Sequence, residues 1–160
     1  MWDVGAAGLV VDEGRVLLVR HAYGAGQGRW GVPGGFAHHD ERLDEAAVRE
    51  VFEETGIHAE VLSLVGVRTC YVPEGGAVFV FFRMRAVGSA EEEPRPDAIE
   101  VDEARYFTAG EISNLPEGEV IALSRAAALA VLEGGEGLVE RPCPPKSGAD
   151  YRAFLVAGRE

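Results

Sequence analysis

Basic residues are scarce in this chain. Fifteen lysines and arginines stand against 27 aspartates and glutamates, a formal net charge of −12 over 160 residues. That deficit excludes broad electrostatic binding to nucleic acid, which needs a basic surface. It leaves room for a small phosphate-bearing ligand, because bound dications invert the local field. Cysteine is nearly absent: Cys70 and Cys143 are too few for a disulfide framework, and neither sits in a CxxC pair. Cys70 reads as a small buried hydrophobe within a strand. No apolar run approaches the roughly 18 residues of a membrane-crossing helix, so no membrane partner is expected. The opening MWDVGAAGLVVDEG has no basic stretch before its apolar run, which argues against a secretory leader and for a cytoplasmic location. Internal repeats and low-complexity tracts are also missing.

What is present fits one folded domain with a proper core, at 47% hydrophobic and 26% charged residues. The 21 glycines imply many tight turns. VGAAGLVVDEGRVLLVRH reads as two strands joined at Asp12-Glu13-Gly14. AYGAGQGR reads as a flexible loop, and WGVPGG, Trp30 to Gly35, as a rigid turn. Leu43 to Thr55 is the clearest helix, stopped by Gly56. AEVLSLVGVRTCYV and AVFVFFRMRAV are β-rich and separated by Pro73-Glu74-Gly75-Gly76, so they pair antiparallel. SAEEEPRPDAIEVDE is an exposed polar loop, ARYF a short strand, and Glu119 to Leu132 a second helix. This order predicts an α/β domain in which a mixed sheet is layered with a few helices. The domain is expected over residues 1–135, with 136–160 an extension packed on it or at a dimer interface.

The helix poses a problem of charge. At about 100° per residue, Glu50, Glu53 and Glu54 share one stripe, which Leu43, Ala46 and Ala47 continue. Val48, Val51 and Phe52 make a second, apolar stripe, which places the carboxylates at the lip of a cleft. Like charges so spaced destabilise a helix unless a positive partner sits among them. Arg49 can clamp Glu45 or Glu53, both four residues away. A magnesium ion is the other remedy, since it takes oxygen ligands and keeps waters and phosphates. A merely solvated acidic face is the plain alternative, disfavoured by the apolar stripe and the preceding PGG turn.

The whole segment Gly35 to Ile57 resembles the signature of the Nudix hydrolases: Gly35, Glu41, then Arg49-Glu50-Val51-Phe52-Glu53-Glu54-Thr55-Gly56-Ile57. Every fixed position of that pattern is filled, and RVLLVRH and WGVPGG resemble the family's lead-in. The resemblance implies an α/β/α sandwich and hydrolysis of a pyrophosphate bond in a nucleoside diphosphate linked to another moiety, using Mg2+ or Mn2+. It implies that Glu50, Glu53, Glu54 and the Gly34 carbonyl hold metal, with Glu41 a further, water-mediated partner. Arg49 would hold Glu53 in place. Glu50 is one candidate for the base, and Glu100 or Glu103, in the loop before ARYF, is another. Two positions depart from the pattern: His38-His39-Asp40 replaces an acid-x-glycine run, and Arg42 replaces a small capping residue. Asp40 is therefore expected to cap the helix, and the histidines to lie in an exposed loop rather than bind zinc.

Substrate residues are expected among Arg68, Arg83, Trp30, Tyr71 and Pro73, as phosphate or ribose contacts, base-stacking rings and a proline spaced as in members that prefer ADP-ribose. The same positions also suit ordinary core, turn and solvent-facing roles. A nucleoside triphosphate pyrophosphohydrolase and a non-catalytic nucleotide sensor are the alternatives, the second disfavoured by the undegraded box. The implied partner is a small nucleotide, and a homodimer is compatible with the family.

Overall fold

The computed structural model describes residues 1–88, 92–134, 138–141 and 150–156. Cys143 lies outside them. The sheet is built around one long strand, β1 (Trp2–Asp12), which serves two neighbours in succession. Residues Trp2 to Val10 run parallel to β6 (Gly75–Ala86), while Val11 and Asp12 turn over to pair antiparallel with β2 (Arg15–His21). The turn between β1 and β2 is the expected Glu13-Gly14, with both residues at positive φ. β2 also pairs with β3 (Trp30–Gly31) and with β7 (Val101–Thr108), and β4 (Gly34–Phe36) pairs with β1 at Gly5 to Ala7.

β5 (Ala59–Val72) and β6 form the predicted antiparallel pair, bent by two register shifts at Val61/Ser63 and Leu64/Gly66. In the tail, β8 (Leu138–Arg141) and β9 (Asp150–Val156) pair with each other, and β9 lies antiparallel along β5. Main-chain pairing there needs no side-chain periodicity, which is why the proline cluster upstream obscured it.

Helix α1 (Leu43–Thr55) has the expected bounds and ends at Gly56, φ 69°. Its Ala46, Ala47 and Val51 pack with Ala6, Val10, Leu17 and Met84 on one face of the sheet. The opposite face carries α2 (Ala109–Asn114) and α3 (Ala122–Glu133), where Ile112, Ala127, Ala128 and Val131 pack with Leu9, Val16, Leu18 and Phe107. A mixed sheet between helices is thus the architecture, as expected.

Several local expectations need correction. WGVPGG is two short strands around Val32-Pro33 rather than a bare turn. ARYF is the middle of an eight-residue strand, so part of the supposed polar loop is sheet. The glycine-rich AYGAGQGR holds a short 3-10 turn at Gly24–Gly26. α3 starts at Ala122, because Val120 is still bridged to Trp30 as β-structure. α2 is an element that the apolar periodicity does not predict; Thr108 and Glu111 form a capping box at its start, each side chain accepting the other's N–H. Asp40 does not cap α1. The helix begins after Arg42, whose N–H donates to Glu45 Oε2 at 2.8 Å. Phe52 is exposed and stacks on His58, and Cys70 is only half-buried.

Candidate active site

The inward side of α1 is selected by its small residues. Ala46 and Ala47 let the helix approach the sheet, and the same side one and two turns later presents Glu50 and Glu54. Both are buried, at 7% and 3% exposure. Glu53 differs from the expectation: about 100° round from Glu54, its side chain is 54% exposed. The third member of the inner group is Glu100 from the segment before β7. One carboxylate oxygen each from Glu50, Glu54 and Glu100 lie within 4.8 Å of one another. Among the described residues no such group contains His38 or His39, which are exposed.

Arg49 ties the remaining acids together. Its Nε and Nη2 donate to the two oxygens of Glu41 at 3.0 and 2.6 Å, and Nη1 donates to Glu50 at 2.8 Å and Glu53 at 3.2 Å. Nη2 also donates to the Phe36 carbonyl at 3.2 Å, which joins helix to β4. Glu45 takes no part, being paired with Arg42. The Arg49 hydrogen bonds, then the His38 N–H, hold the Glu41 carboxyl down to about 2. Glu50 is raised, because burial outweighs its bond from Arg49. Burial, then the Glu50 charge, pushes Glu54 up to about 9 against the pull of the Gly34 N–H, which donates to Glu54 Oε2 at 3.2 Å.

The glycine pair has a steric meaning. A Cβ on Gly35 would stand 2.5 Å from Glu50 Oε1, so the acid occupies space that any other residue would fill. Pro33 is fixed alongside, its carbonyl accepting the Gly8 N–H at 3.0 Å. The arrangement suits a hard dication: two buried carboxylates with a third, exposed one beside them, and one of the buried pair so poorly solvated that ionising it unaided is costly.

Glu100 and Glu103 separate cleanly. Glu103 lies on β7 opposite Arg20 and pairs with its Nη2 at 2.8 Å, while Arg20 Nε holds Asp102 at 2.8 Å. Of the residues expected to meet substrate, Trp30 is 7% exposed and packs edge-on to Phe107 at 4.8 Å, so it belongs to the core and not to a stacking surface. Tyr71 is exposed near the end of β5, Pro73 lies in the β5–β6 turn, and Arg83 stands on β6 opposite Leu9. Arg68 lies over the Phe79 ring at 4.8 Å, and Phe79 meets Phe36 edge-on at 5.4 Å. Phe36, directly after PGG, is 55% exposed and is not among the residues that the sequence points to as substrate contacts.

The NUDIX domain family model matches residues 1–128, and the chain belongs to the Nudix family. It is 32% identical over 116 residues to an ADP-ribose pyrophosphatase of Methanocaldococcus jannaschii, covering 71% of this chain and 64% of that protein. A MutT-like protein of Streptomyces ambofaciens is 40% identical over 90 residues, 56% of this chain and 55% of its own length. The chain therefore spans between half and two thirds of these relatives. Among solved structures, a NUDIX hydrolase from Nitrosomonas europaea superposes with a TM-score of 0.67 at 26% identity, over 82% of this chain and 70% of that one.

Proposed function

We propose that this chain hydrolyses a pyrophosphate bond in a nucleoside diphosphate linked to another moiety, with ADP-ribose-like compounds ahead of nucleoside triphosphates. The observation that carries the reading is the convergence of Glu50, Glu54 and Glu100 at the inner end of a complete family signature. The similarity to an ADP-ribose pyrophosphatase supports the substrate order. Glu50 and Glu54 would hold Mg2+ or Mn2+, with Glu53 at the rim and the Gly34 carbonyl alongside. When bound, the dication supplies charge neutralisation at the phosphate oxygens and a more acidic water.

The chain's own groups divide the remaining tasks. Arg49 fixes Glu50, Glu41 and Glu53 in one geometry, so these acids are oriented before substrate arrives. Glu41 acts through Arg49, both of its oxygens being taken up there. Glu100, exposed and beside the buried pair, is the base: it accepts the proton of the attacking water as the water oxygen bonds to phosphorus and the bridging P–O bond breaks. The products are a nucleoside monophosphate and the phosphorylated remainder. Phe36, exposed, with the half-buried Phe79 and Arg68 behind it, would meet the nucleoside. The catalytic unit would be residues 1–135, with β8 and β9 extending the same sheet beyond it.

The test is incubation with Mn2+ or Mg2+ and a panel of nucleotide anhydrides, with products identified by mass. Cleavage of ADP-ribose to AMP and ribose 5-phosphate is expected, and Glu54→Gln should lower kcat by more than about 100-fold. Cleavage of triphosphates alone would move the substrate assignment. Tight nucleotide binding without turnover would refute the hydrolase reading in favour of a sensor.

A further inference from the structure

The segment that presents Glu100 is organised by a side chain outside the family signature. Asp97 Oδ1 accepts three consecutive backbone N–H groups, from Ile99, Glu100 and Val101, at 2.9, 2.9 and 3.0 Å. The turn closes as the Ala98 N–H donates to the Val101 carbonyl at 3.0 Å, with Ala98 held at φ 61°. Non-glycine residues occupy that region only where their surroundings impose it.

The turn is anchored on both flanks. The Arg95 N–H donates to the Thr55 carbonyl at the end of α1 at 2.7 Å, and the Ala22 N–H donates to the Glu100 carbonyl at 2.9 Å. Glu100 therefore has its N–H bound by Asp97 and its C=O bound by the loop after β2, while its side chain remains exposed beside Glu50 and Glu54.

We infer that Asp97 is a positioning residue: its three-pronged grip on residues 99–101 sets the Glu100 carboxylate against Glu50 and Glu54. The inference rests on the hydrolase reading above. The competing account is an ordinary turn cap that only stabilises a surface loop. The two differ in what happens to catalysis when Glu100 is already disabled. A cap that matters for folding adds its loss to any other, whereas a positioning residue has nothing left to position.

The experiment measures kcat and KM, with Mn2+, for the wild type, Asp97→Ala, Asp97→Asn, Glu100→Gln and the Asp97→Ala/Glu100→Gln double variant. Hydrogen exchange over residues 97–101 is read on the same proteins. Asp97→Ala should lower kcat by about 10- to 100-fold, the scale of a misplacement of roughly 1 Å, with KM changed by less than about twofold. Asp97→Asn keeps the oxygen acceptor and should recover most of the loss. The double variant should be no slower than Glu100→Gln alone. The amides of residues 99–101 should exchange faster in Asp97→Ala but not in Asp97→Asn. Additive losses, an Asp97→Asn as slow as Asp97→Ala, or unaltered exchange in Asp97→Ala each overturn the inference while leaving the hydrolase reading intact. A wild type inert toward every anhydride overturns the hydrolase reading itself, and the catalytic role of Asp97 with it.

Discussion

At the scale of single residues, the acid that packs deepest on the inner side of α1 has the largest consequence. Glu54 titrates at about 9 in the fold against an ordinary 4.5. A carboxyl whose folded value is raised keeps its proton where the unfolded chain has lost it. Metal-free protein should therefore be most stable below about pH 4.5 with respect to this group, losing that contribution as pH rises toward 9. Chemical denaturation in chelator across pH 5 to 9 should show stability falling with pH, and Glu54→Gln should flatten the slope. Added Mn2+ should reverse the trend, because metal competes with the proton at the same oxygens. A pH-independent midpoint would contradict the burial of this carboxyl. Gly35 gives a second, steric test. Gly35→Ala places a methyl against Glu50 Oε1, so Mn2+ affinity should drop by roughly 10-fold or more, read by titration, with little change in circular dichroism. The sequence made the acids conspicuous but not their depth. Glu53 and Glu54 are adjacent letters, and only packing against the sheet decided that one is buried and the other solvated.

Elements were legible wherever a local rule dictates them. α1 has alternating charge and small apolar residues between a polar start and a glycine stop, and its bounds follow from that. α2 is one and a half turns long, too short for periodicity, so only the Thr108–Glu111 box announces it. Elements held by distant partners leave no local trace. Ser124, buried on α3, accepts the Val32 N–H at 3.0 Å across 92 residues of sequence, while the Ile121 N–H donates to the Trp30 carbonyl at 2.9 Å. Together they stitch α3 to the strand leading into Pro33-Gly34-Gly35, and Gly34 in turn donates to Glu54. Ser124→Ala leaves a buried N–H without its acceptor and should cost about 1–3 kcal/mol in urea unfolding. A loss below about 0.5 kcal/mol would mean that the loop is held by its other bonds.

For the whole molecule, the order of strands was hidden because pairing between distant segments is not written in either one. The parallel contact of β1 with β6 and the docking of β9 on β5 both join regions far apart in the chain. The tail is part of the core in one respect: Leu155 on β9 is 2% exposed and packs in the cluster that holds Phe107 and Trp30. Leu155→Ala should destabilise the whole domain by about 2–5 kcal/mol, seen as a single cooperative shift in thermal unfolding. A separate early transition would instead make the tail an independently melting strand. The net charge of −12 also acts at this scale, as a long-range repulsion toward other anions.

β1 has a last implication, because it belongs to both halves of the sheet. α1 packs across the seam, on Ala6 and Val10 of β1, Met84 of β6 and Leu17 of β2, while the Glu100 segment leads into β7, which pairs with β2. The helix that carries Glu54 and the segment that carries Glu100 are thus braced across the strand crossing at Val10 and Val11, and the Arg95 N–H bond to the Thr55 carbonyl ties them directly. That one strand therefore carries the spacing of the acids as well as the continuity of the sheet.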